Sequence, residues 1–139
     1  MVSIFQLKNG GLGTIEATTA ARPKDSHASI SVIGTKGHVK IGGVALNKIE
    51  TWEFKNEKKK KSQSIKKTYS QKVPNGYGLG HVKYMNTFIK NFQSKHRNPP
   101  VTADDAASTQ RLIHAIYSSH EKKKWVKVSN KIQSDYLGK

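Results

Sequence analysis

The 139-residue sequence contains no cysteine, so disulfides and thiolate metal sites are excluded. Such a composition is typical of cytoplasmic proteins. The sequence has no run of about 18 apolar residues, and we predict no membrane-spanning helix. A basic segment followed by an apolar run of about 7 to 15 residues is also missing from the N-terminus, so we predict no signal peptide. We therefore expect a cytoplasmic protein without a membrane partner.

Acidic residues are scarce: the sequence contains 9 acidic and 25 basic residues, which gives a net charge of +16. Such a charge attracts polyanions, of which nucleic acid is the obvious candidate. Nearly all the basic residues are lysines, however, and lysine does not make the bidentate phosphate contacts of arginine. Eight lysines lie within residues 55–72 against Glu57 alone, as in a solvated loop. Nucleic acid is therefore disfavoured as a partner and kept as an alternative.

The first 54 residues consist of short β-branched segments separated by turn signals. No helical pattern separates these segments, so we expect antiparallel pairing. A domain seldom starts on a strand without a preceding element to cover it, and we expect further chain before Met1. The predicted strands are residues 2–8, 12–20, 28–33, 38–41 and 48–54.

The second half of the chain is predicted to be mostly helical. Residues 55–75 have few apolar side chains and are predicted to form a lysine-rich arm or loop. Residues 80–95 have apolar positions at helical spacing, which we expect to be core. A capping box at Thr102 and Asp105 starts a second helix that ends near Ser119.

The fold class predicted from this order is α+β, an open, mostly antiparallel β-sheet with two helices packed on one face. Residues 125–128 are predicted to form a last strand, and residues 129–139 a tail. At this length the whole chain, residues 1–139, is expected to be a single domain.

Two glycine-rich segments allow different interpretations. The segment Gly10-Gly11-Leu12-Gly13 is followed by a predicted strand, whereas a dinucleotide-binding fingerprint must lead into a helix. Residues 76–81 do precede a helix, whose free backbone amides suit an anion. The alternative is a connection whose glycines let the helix pack close to the sheet.

Few residues suggest chemistry. Thr18, Thr19 and Arg22 end a predicted strand, and two hydroxyls with a guanidinium suit sugar hydroxyls and a carboxylate or phosphate. A solvated strand end is the alternative. The six histidines lack zinc-motif spacing with a supporting carboxylate. We find no catalytic triad or acid–base pair, and we predict no catalytic, cofactor-binding or metal-binding residue in this chain.

Several segments, in the order in which they follow along the chain, resemble the C-terminal domain of Gfo/Idh/MocA-type oxidoreductases. The Gly78-Leu79-Gly80-His81 motif with Tyr84 is similar to the family's loop into its helix. The branch most resembled acts on UDP-linked N-acetylated sugars, such as the UDP-N-acetylglucosamine(-uronate) 3-dehydrogenases. The other similar segments are residues 9–25, 30–37, 39–43, 47–49 and 104–117.

The resemblance implies that the complete enzyme uses NAD(P), held by a Rossmann domain that has no counterpart in this sequence. The family's catalytic histidine is expected upstream of Met1, so His81 is not that residue. A cofactor must be held against the substrate for hydride transfer, and we expect no activity from this chain alone. A separate polypeptide is one source of the Rossmann domain.

The resulting prediction is a substrate-facing and oligomerisation domain of an NAD(P)-dependent sugar or sugar-nucleotide oxidoreductase. The open sheet face is expected to form a homo-oligomer. The alternative is a non-catalytic self-association or binding module. The residues predicted to contact a sugar or UDP-sugar are Thr18, Thr19, Arg22, Tyr77 and His81.

Overall fold

A computed structural model describes residues 1–24, 26–94, 98–131 and 133–136. Its described residues form an α+β fold with two small antiparallel sheets, which confirms the predicted class. No helix among them is long and apolar enough to cross a membrane. The elements are β1 (Val2–Gln6), β2 (Leu12–Glu16), β3 (Ile30–Gly34), β4 (Gly37–Gly42), β5 (Lys48–Phe54), α1 (Lys59–Tyr69), α2 (Gly80–Gln93) and α3 (Ala103–Lys122).

The chain divides into two compact units. One contains Met1–Thr18 and Thr87–Lys139, and the other contains Thr19–Asn86. Strands β1 and β2 therefore belong to the first unit with α3, and strands β3 to β5 belong to the second with α1. Helix α2 runs from the second unit into the first.

Strands β1 and β2 form a hairpin around Gly10, whose φ of 87° suits glycine. Gly13 lies opposite Phe5, and the Phe5 ring occupies the space that a side chain on Gly13 would need. Residues opposite one another share a face of the sheet. One face of the hairpin is therefore half-buried, and the other exposes three apolar side chains: Val2, Ile4 and Leu12.

Strands β3, β4 and β5 pair antiparallel in that order, with an irregularity between Lys40 and Ile41. Val39 lies opposite Trp52, and Ile41 opposite Ile49. These four side chains lie on one face of the sheet, which is the face that α1 packs against. The Lys40 ammonium pairs with Glu50 at 2.8 Å, and this hydrogen bond lowers the pKa of the Glu50 carboxyl.

Helix α1 lies where the sequence predicts an arm or loop, so that prediction is wrong for Lys59–Tyr69. Lysine and glutamine are good helix formers. Ser62, Ile65 and Tyr69 follow at three- and four-residue spacing, which places them on one helix face. The Ser62 hydroxyl donates to the Trp52 carbonyl of β5, and Ile65 and Tyr69 line a groove with Trp52. These contacts with β5 hold α1 in place. The low apolar content of the segment does not predict a helix, because it gives no sign of this packing.

Helix α2 forms as predicted, but the prediction that its apolar residues are core is wrong. None of its residues is buried; Val82 and Phe92, for example, are 63% and 67% exposed. Phe88 and Phe92 stack on each other with ring centroids 6.3 Å apart. The predicted helix end near Lys95 lies outside the described residues.

Helix α3 begins with the predicted capping box. The Thr102 hydroxyl accepts from the Asp105 backbone N–H at 3.2 Å, and the Thr102 N–H donates to the Asp105 carboxylate at 3.1 Å. Hydrogen bonds from the Thr102 side chain and backbone lower the pKa of Asp105. The helix continues past the predicted end at Ser119 to Lys122, where Lys123 adopts a left-handed conformation with φ of 51°.

The predicted last strand at residues 125–128 does not form, and Trp125 is 69% exposed. Strand propensity has no effect without a neighbouring strand. The chain beyond it is instead held by side chains of α3. The His114 Nδ1 accepts from the Ser134 N–H at 3.3 Å, and Glu121 accepts from the Tyr136 N–H at 3.0 Å and from the Ser134 hydroxyl. The Ser134 hydrogen bond lowers the pKa of Glu121.

Candidate functional site

The candidate site lies in the second unit, where β4 ends and β5 begins. Gly42 and Gly43 are buried at this end of the sheet. Gly43 has φ of 94°, a conformation that favours glycine. The Asn47 side chain accepts a hydrogen bond from the Ala45 N–H at 3.2 Å, and the Leu46 N–H donates to the Gly43 carbonyl at 3.4 Å. These bonds fix a tight turn over residues 43–47.

Asn47 also ties this turn to the chain that leaves α1. The side-chain NH2 of Asn47 donates to the backbone carbonyl of Gln71 at 2.6 Å, and the backbone carbonyl of Asn47 accepts from the backbone N–H of Gln71 at 2.8 Å. In β5, the Ile49 N–H donates to the Ser70 hydroxyl at 3.0 Å. Residues 70–71 therefore lie beside the start of β5, although they are more than 20 residues away in sequence.

The glycine-rich connection to α2 lies against the same turn. A Cβ on Gly76 would lie 3.6 Å from the Val44 carbonyl oxygen, and one on Gly78 would lie 3.0 Å from the Ala45 Cβ. Gly78 has φ of 62°. The Asn75 side chain accepts from the Tyr77 N–H at 3.0 Å. These glycines thus let the connection lie close to the turn at residues 43–47, whereas packing of α2 itself on the sheet stays a prediction.

Tyr77 and His81 flank the start of α2 and lie close together. Their ring centroids are 6.5 Å apart and the ring planes are inclined by 59°. Tyr77 is 80% exposed, and His81 is also exposed. A phenol and an imidazole therefore reach solvent from one well-positioned connection. Both groups donate and accept hydrogen bonds, which suits the hydroxyls of a sugar.

The other predicted site residues follow β2. Thr18 ends the N-terminal segment of the first unit, Thr19 begins the second unit, and both residues are exposed. Arg22 is exposed as well, and its Nη1 donates to the Ala21 carbonyl at 2.6 Å and to the Thr19 carbonyl at 3.3 Å. Within the described part of the second unit, no hydrogen bond or ring contact joins Arg22 or Thr19 to Tyr77 or His81. The structure brings Tyr77 to His81, and Arg22 to Thr19, as two separate pairs.

Sequence reasoning missed the residues that hold the site in place, chiefly Gly43 and Asn47. Their signal is modest: a Gly-Gly pair followed by an asparagine is typical of a turn, but nothing local indicates the bond from Asn47 to Gln71. Across the described ranges, no three His, Asp or Glu side chains are grouped to hold a metal ion. The arrangement can bind and orient a polar ligand.

A model of the Gfo/Idh/MocA group, described as "Oxidoreductase family, C-terminal alpha/beta domain", matches residues 1–128. Curated proteins give no match.

Two solved structures are similar to this chain. One is the WlbA dehydrogenase from Bordetella pertussis in complex with NADH and UDP-GlcNAcA, with 27% identity, a TM-score of 0.70, and coverage of 88% of this chain and 34% of that one. The other is the WlbA dehydrogenase from Chromobacterium violaceum in complex with the same two ligands, with 28% identity, a TM-score of 0.70, and coverage of 88% and 33%. The chain therefore spans about a third of the length of either structure.

Proposed function

This chain belongs to the Gfo/Idh/MocA oxidoreductase family as its C-terminal alpha/beta domain, and from that membership we propose that it faces the substrate and forms oligomers within an NAD(P)-dependent sugar-nucleotide oxidoreductase. The supporting observation is the likeness to two dehydrogenases that each hold NADH and UDP-GlcNAcA. We propose a UDP-linked sugar as the ligand and the cytoplasm as the location.

The dinucleotide is proposed to bind to another part of the enzyme. Gly10-Gly11-Leu12-Gly13 leads into strand β2, whereas pyrophosphate binding at a dinucleotide fingerprint uses the N-terminus of a helix. This glycine segment does not fit the cofactor. The cofactor supplies hydride chemistry when bound, and the residues of this chain are assigned binding and positioning of the sugar.

Tyr77 and His81 are the proposed contacts to sugar hydroxyls, because their rings lie together where the connection that packs against the turn at residues 43–47 enters α2. The guanidinium of Arg22 has five N–H donors, and among the described residues the carbonyls of Thr19 and Ala21 engage Nη1 alone. Its remaining donors suit a carboxylate or diphosphate of the ligand. The hydroxyls of Thr18 and Thr19 are proposed to contribute weaker contacts.

We expect the double substitution Tyr77→Ala/His81→Ala to weaken UDP-GlcNAcA binding by about tenfold or more, as loss of two hydrogen-bonding groups implies. Isothermal titration calorimetry on the purified chain measures this. The matched control is Tyr136→Ala/His120→Ala, which removes the same two residue types from exposed positions in the other unit.

Binding of NADH tests the cofactor assignment, and binding of UDP-GlcNAcA tests the substrate-facing role. NADH should give no binding heat with the chain alone, and tight NADH binding would show that the cofactor assignment is wrong. Equal affinity for UDP-GlcNAcA in the double variant and its control would remove Tyr77 and His81 from the site. No binding of UDP-GlcNAcA to the unsubstituted chain would contradict its role as the substrate-facing part.

Self-association is proposed because apolar side chains remain exposed on the strands. Val2 and Leu12 of the hairpin are each 74% exposed, and Ile30 and Val32 of edge strand β3 are 53% and 64% exposed. Exposed apolar side chains on the strands of each unit favour contact with another chain.

Replacing Val2 and Leu12 with threonine should shift sedimentation equilibrium toward the monomer. Threonine keeps the strand propensity of the hairpin and removes apolar area from its exposed face. Leu79→Thr, an exposed position outside the strands, is the control and should leave the oligomer unchanged. A dimer with no affinity for UDP-GlcNAcA would favour the alternative, a non-catalytic self-association module.

A further inference from the structure

A second concave surface lies in the same unit, at the other end of the three-stranded sheet. The turn between β3 and β4 meets the connection from β5 to α1 there, and the Lys55 N–H donates to the Lys36 carbonyl at 3.0 Å. The concavity has a volume of about 780 Å³, in the range of ligand-binding sites. Its lining includes four lysines, hereafter the lysine rim: Lys36, Lys55, Lys58 and Lys61.

The charge of the lysine rim is poorly compensated. Glu57 lines the same concavity, but its carboxylate accepts from the Trp52 indole at 2.7 Å and pairs with Lys61 at 2.7 Å. Hydrogen bonding by Lys61 lowers the pKa of Glu57. The ion pairs found across the described residues leave Lys36, Lys55 and Lys58 without a carboxylate partner. Three positive charges therefore face solvent around one depression.

Helix stability does not explain these lysines. The first turn of α1 contains no acidic residue, and the run of lysines 58–61 forms its N-cap and its first three residues. Positive charge near a helix N-terminus opposes the helix dipole and lowers helix stability. A charge pattern that costs stability points to a partner of opposite charge.

An aromatic ring lies within the lysine rim. Phe54 is 38% exposed and lines the concavity. Its ring is held in place from two sides: it packs over Gly37, and its centroid lies 5.2 Å from that of Trp52. A positively charged groove with a positioned aromatic ring is the combination that binds single-stranded nucleic acids, because phosphates meet the cations while a base stacks on the ring.

This surface is distinct from the candidate sugar site. Strand β4 runs from Gly37, under Phe54, to Gly42 at the candidate site. At about 3.4 Å per residue the two ends are roughly 17 Å apart. The lysine rim and the candidate sugar site are therefore formed by different side chains.

We propose that the lysine rim and Phe54 bind single-stranded nucleic acid without sequence preference. Composition alone disfavours this partner because lysine lacks the bidentate contacts of arginine. Non-specific binding, however, needs only point charges that neutralise phosphates. The backbone hydrogen bond from Lys55 to Lys36 and the start of α1 after Lys58 hold these charges around one depression. Thr35 and Asn56 in the same lining add neutral hydrogen-bonding groups, which commonly contact phosphate.

The test is fluorescence polarisation of the full chain with a labelled oligothymidylate of about 12 nucleotides, over a range of salt concentrations. The triple substitution Lys36→Gln/Lys55→Gln/Lys58→Gln spares the Glu57–Lys61 pair. It should weaken binding about tenfold or more and reduce the slope of log K against log salt by about 2, at roughly 0.7 per phosphate on single strands. Phe54→Leu should weaken binding by about fivefold or more through lost stacking.

The matched control removes the same charge elsewhere: Lys124→Gln/Lys127→Gln/Lys131→Gln in the other unit, all exposed in the structure. It should change affinity less than about threefold. Equal losses in the two triple variants would mean that net charge alone attracts the oligonucleotide, and the proposal would then be wrong.

Three further measurements decide between partners and guard against misfolding. Unchanged affinity in Phe54→Leu would overturn base stacking and with it the single-strand assignment. Equal displacement of the oligonucleotide by polyglutamate or by phosphatidylserine vesicles, at matched charge, would overturn nucleic acid as the partner. Circular dichroism confirms that each variant compared is folded.

Discussion

Replacing Gly43 with alanine is expected to lower the free energy of unfolding by about 3 kcal/mol. A non-glycine residue at positive φ costs roughly 1–2 kcal/mol, and Gly43 has φ of 94°. The new Cβ would also lie 2.5 Å from the Asn47 side-chain oxygen, so Asn47 must move. Its bonds to Ala45 and Gln71, worth about 1 kcal/mol each, are then lost or weakened.

A matched substitution separates the two causes. Gly10 has φ of 87°, and a Cβ added there would meet no atom within 4 Å, so Gly10→Ala carries the backbone cost alone. We expect a loss of about 1 kcal/mol there, measured for both variants by urea unfolding with circular dichroism. Equal losses would show that the contact with Asn47 contributes nothing to stability.

The same substitution has a consequence for binding. Val44 and Ala45 in the turn after Gly43 are the neighbours of Gly76 and Gly78. Displacing the turn removes the support of the connection that carries Tyr77. If the proposed sugar site is correct, Gly43→Ala should therefore weaken UDP-GlcNAcA binding under conditions in which the variant remains folded, and Gly10→Ala should not.

Replacing Gly37 with alanine is the second substitution for which we expect a large effect, a loss of roughly 2–3 kcal/mol from overpacking. The added Cβ would lie 2.4 Å from the Glu53 carbonyl oxygen and 2.4 Å from a ring carbon of Phe54. The first is backbone within the β4–β5 ladder and has little freedom to move. Both the ladder and the Phe54 ring must therefore shift.

Gly34→Ala is the control for Gly37→Ala. Gly34 lies in the same β3–β4 turn, opposite Gly37, and its nearest atom would be 3.9 Å from a new Cβ. We expect a change within about 0.5 kcal/mol. Thermal unfolding followed by the fluorescence of Trp52, in the adjacent strand, compares the two. Loss of stability in Gly34→Ala as large as in Gly37→Ala would mean that turn flexibility, and not crowding at β4, controls this hairpin.

The exposed stripe on α2 has a physical interpretation within the proposed function. Val82, Met85, Ile89 and Phe92 are 48–67% exposed, although their spacing is that of a core-facing helix. The chain covers about a third of the similar dehydrogenases. We propose that the remaining part of the enzyme supplies the surface that covers this stripe.

Local patterns predicted the elements whose stability is local. The hairpin at residues 2–16 follows from Asn9-Gly10-Gly11, and the start of α3 follows from Thr102 and Asp105. A turn or a cap forms between residues a few positions apart, so its signal is present in a short window. The assignment of Tyr77 and His81 to a sugar site came from the family resemblance and stays a prediction.

Elements that depend on distant partners were predicted poorly. Helix α1 has few apolar residues, and its packing on β5 is not visible in its own composition. Residues 125–128 have the composition of a strand but pair with no strand in the part of the chain that the structure describes. The bond from Asn47 to Gln71 joins residues 24 positions apart, and no local pattern encodes it.

The amino-acid sequence by itself determined the α+β class, the order of five strands and two of the three helices, the positive charge, and the family. Only the tertiary structure decided that the lysine-rich segment is a helix, that Asn47 joins the turn at residues 43–47 to the chain leaving α1, and that Phe54 lies among lysines. The physical reason is range. Propensities and caps act over a few residues, whereas these three features depend on contacts that form only when separate segments meet.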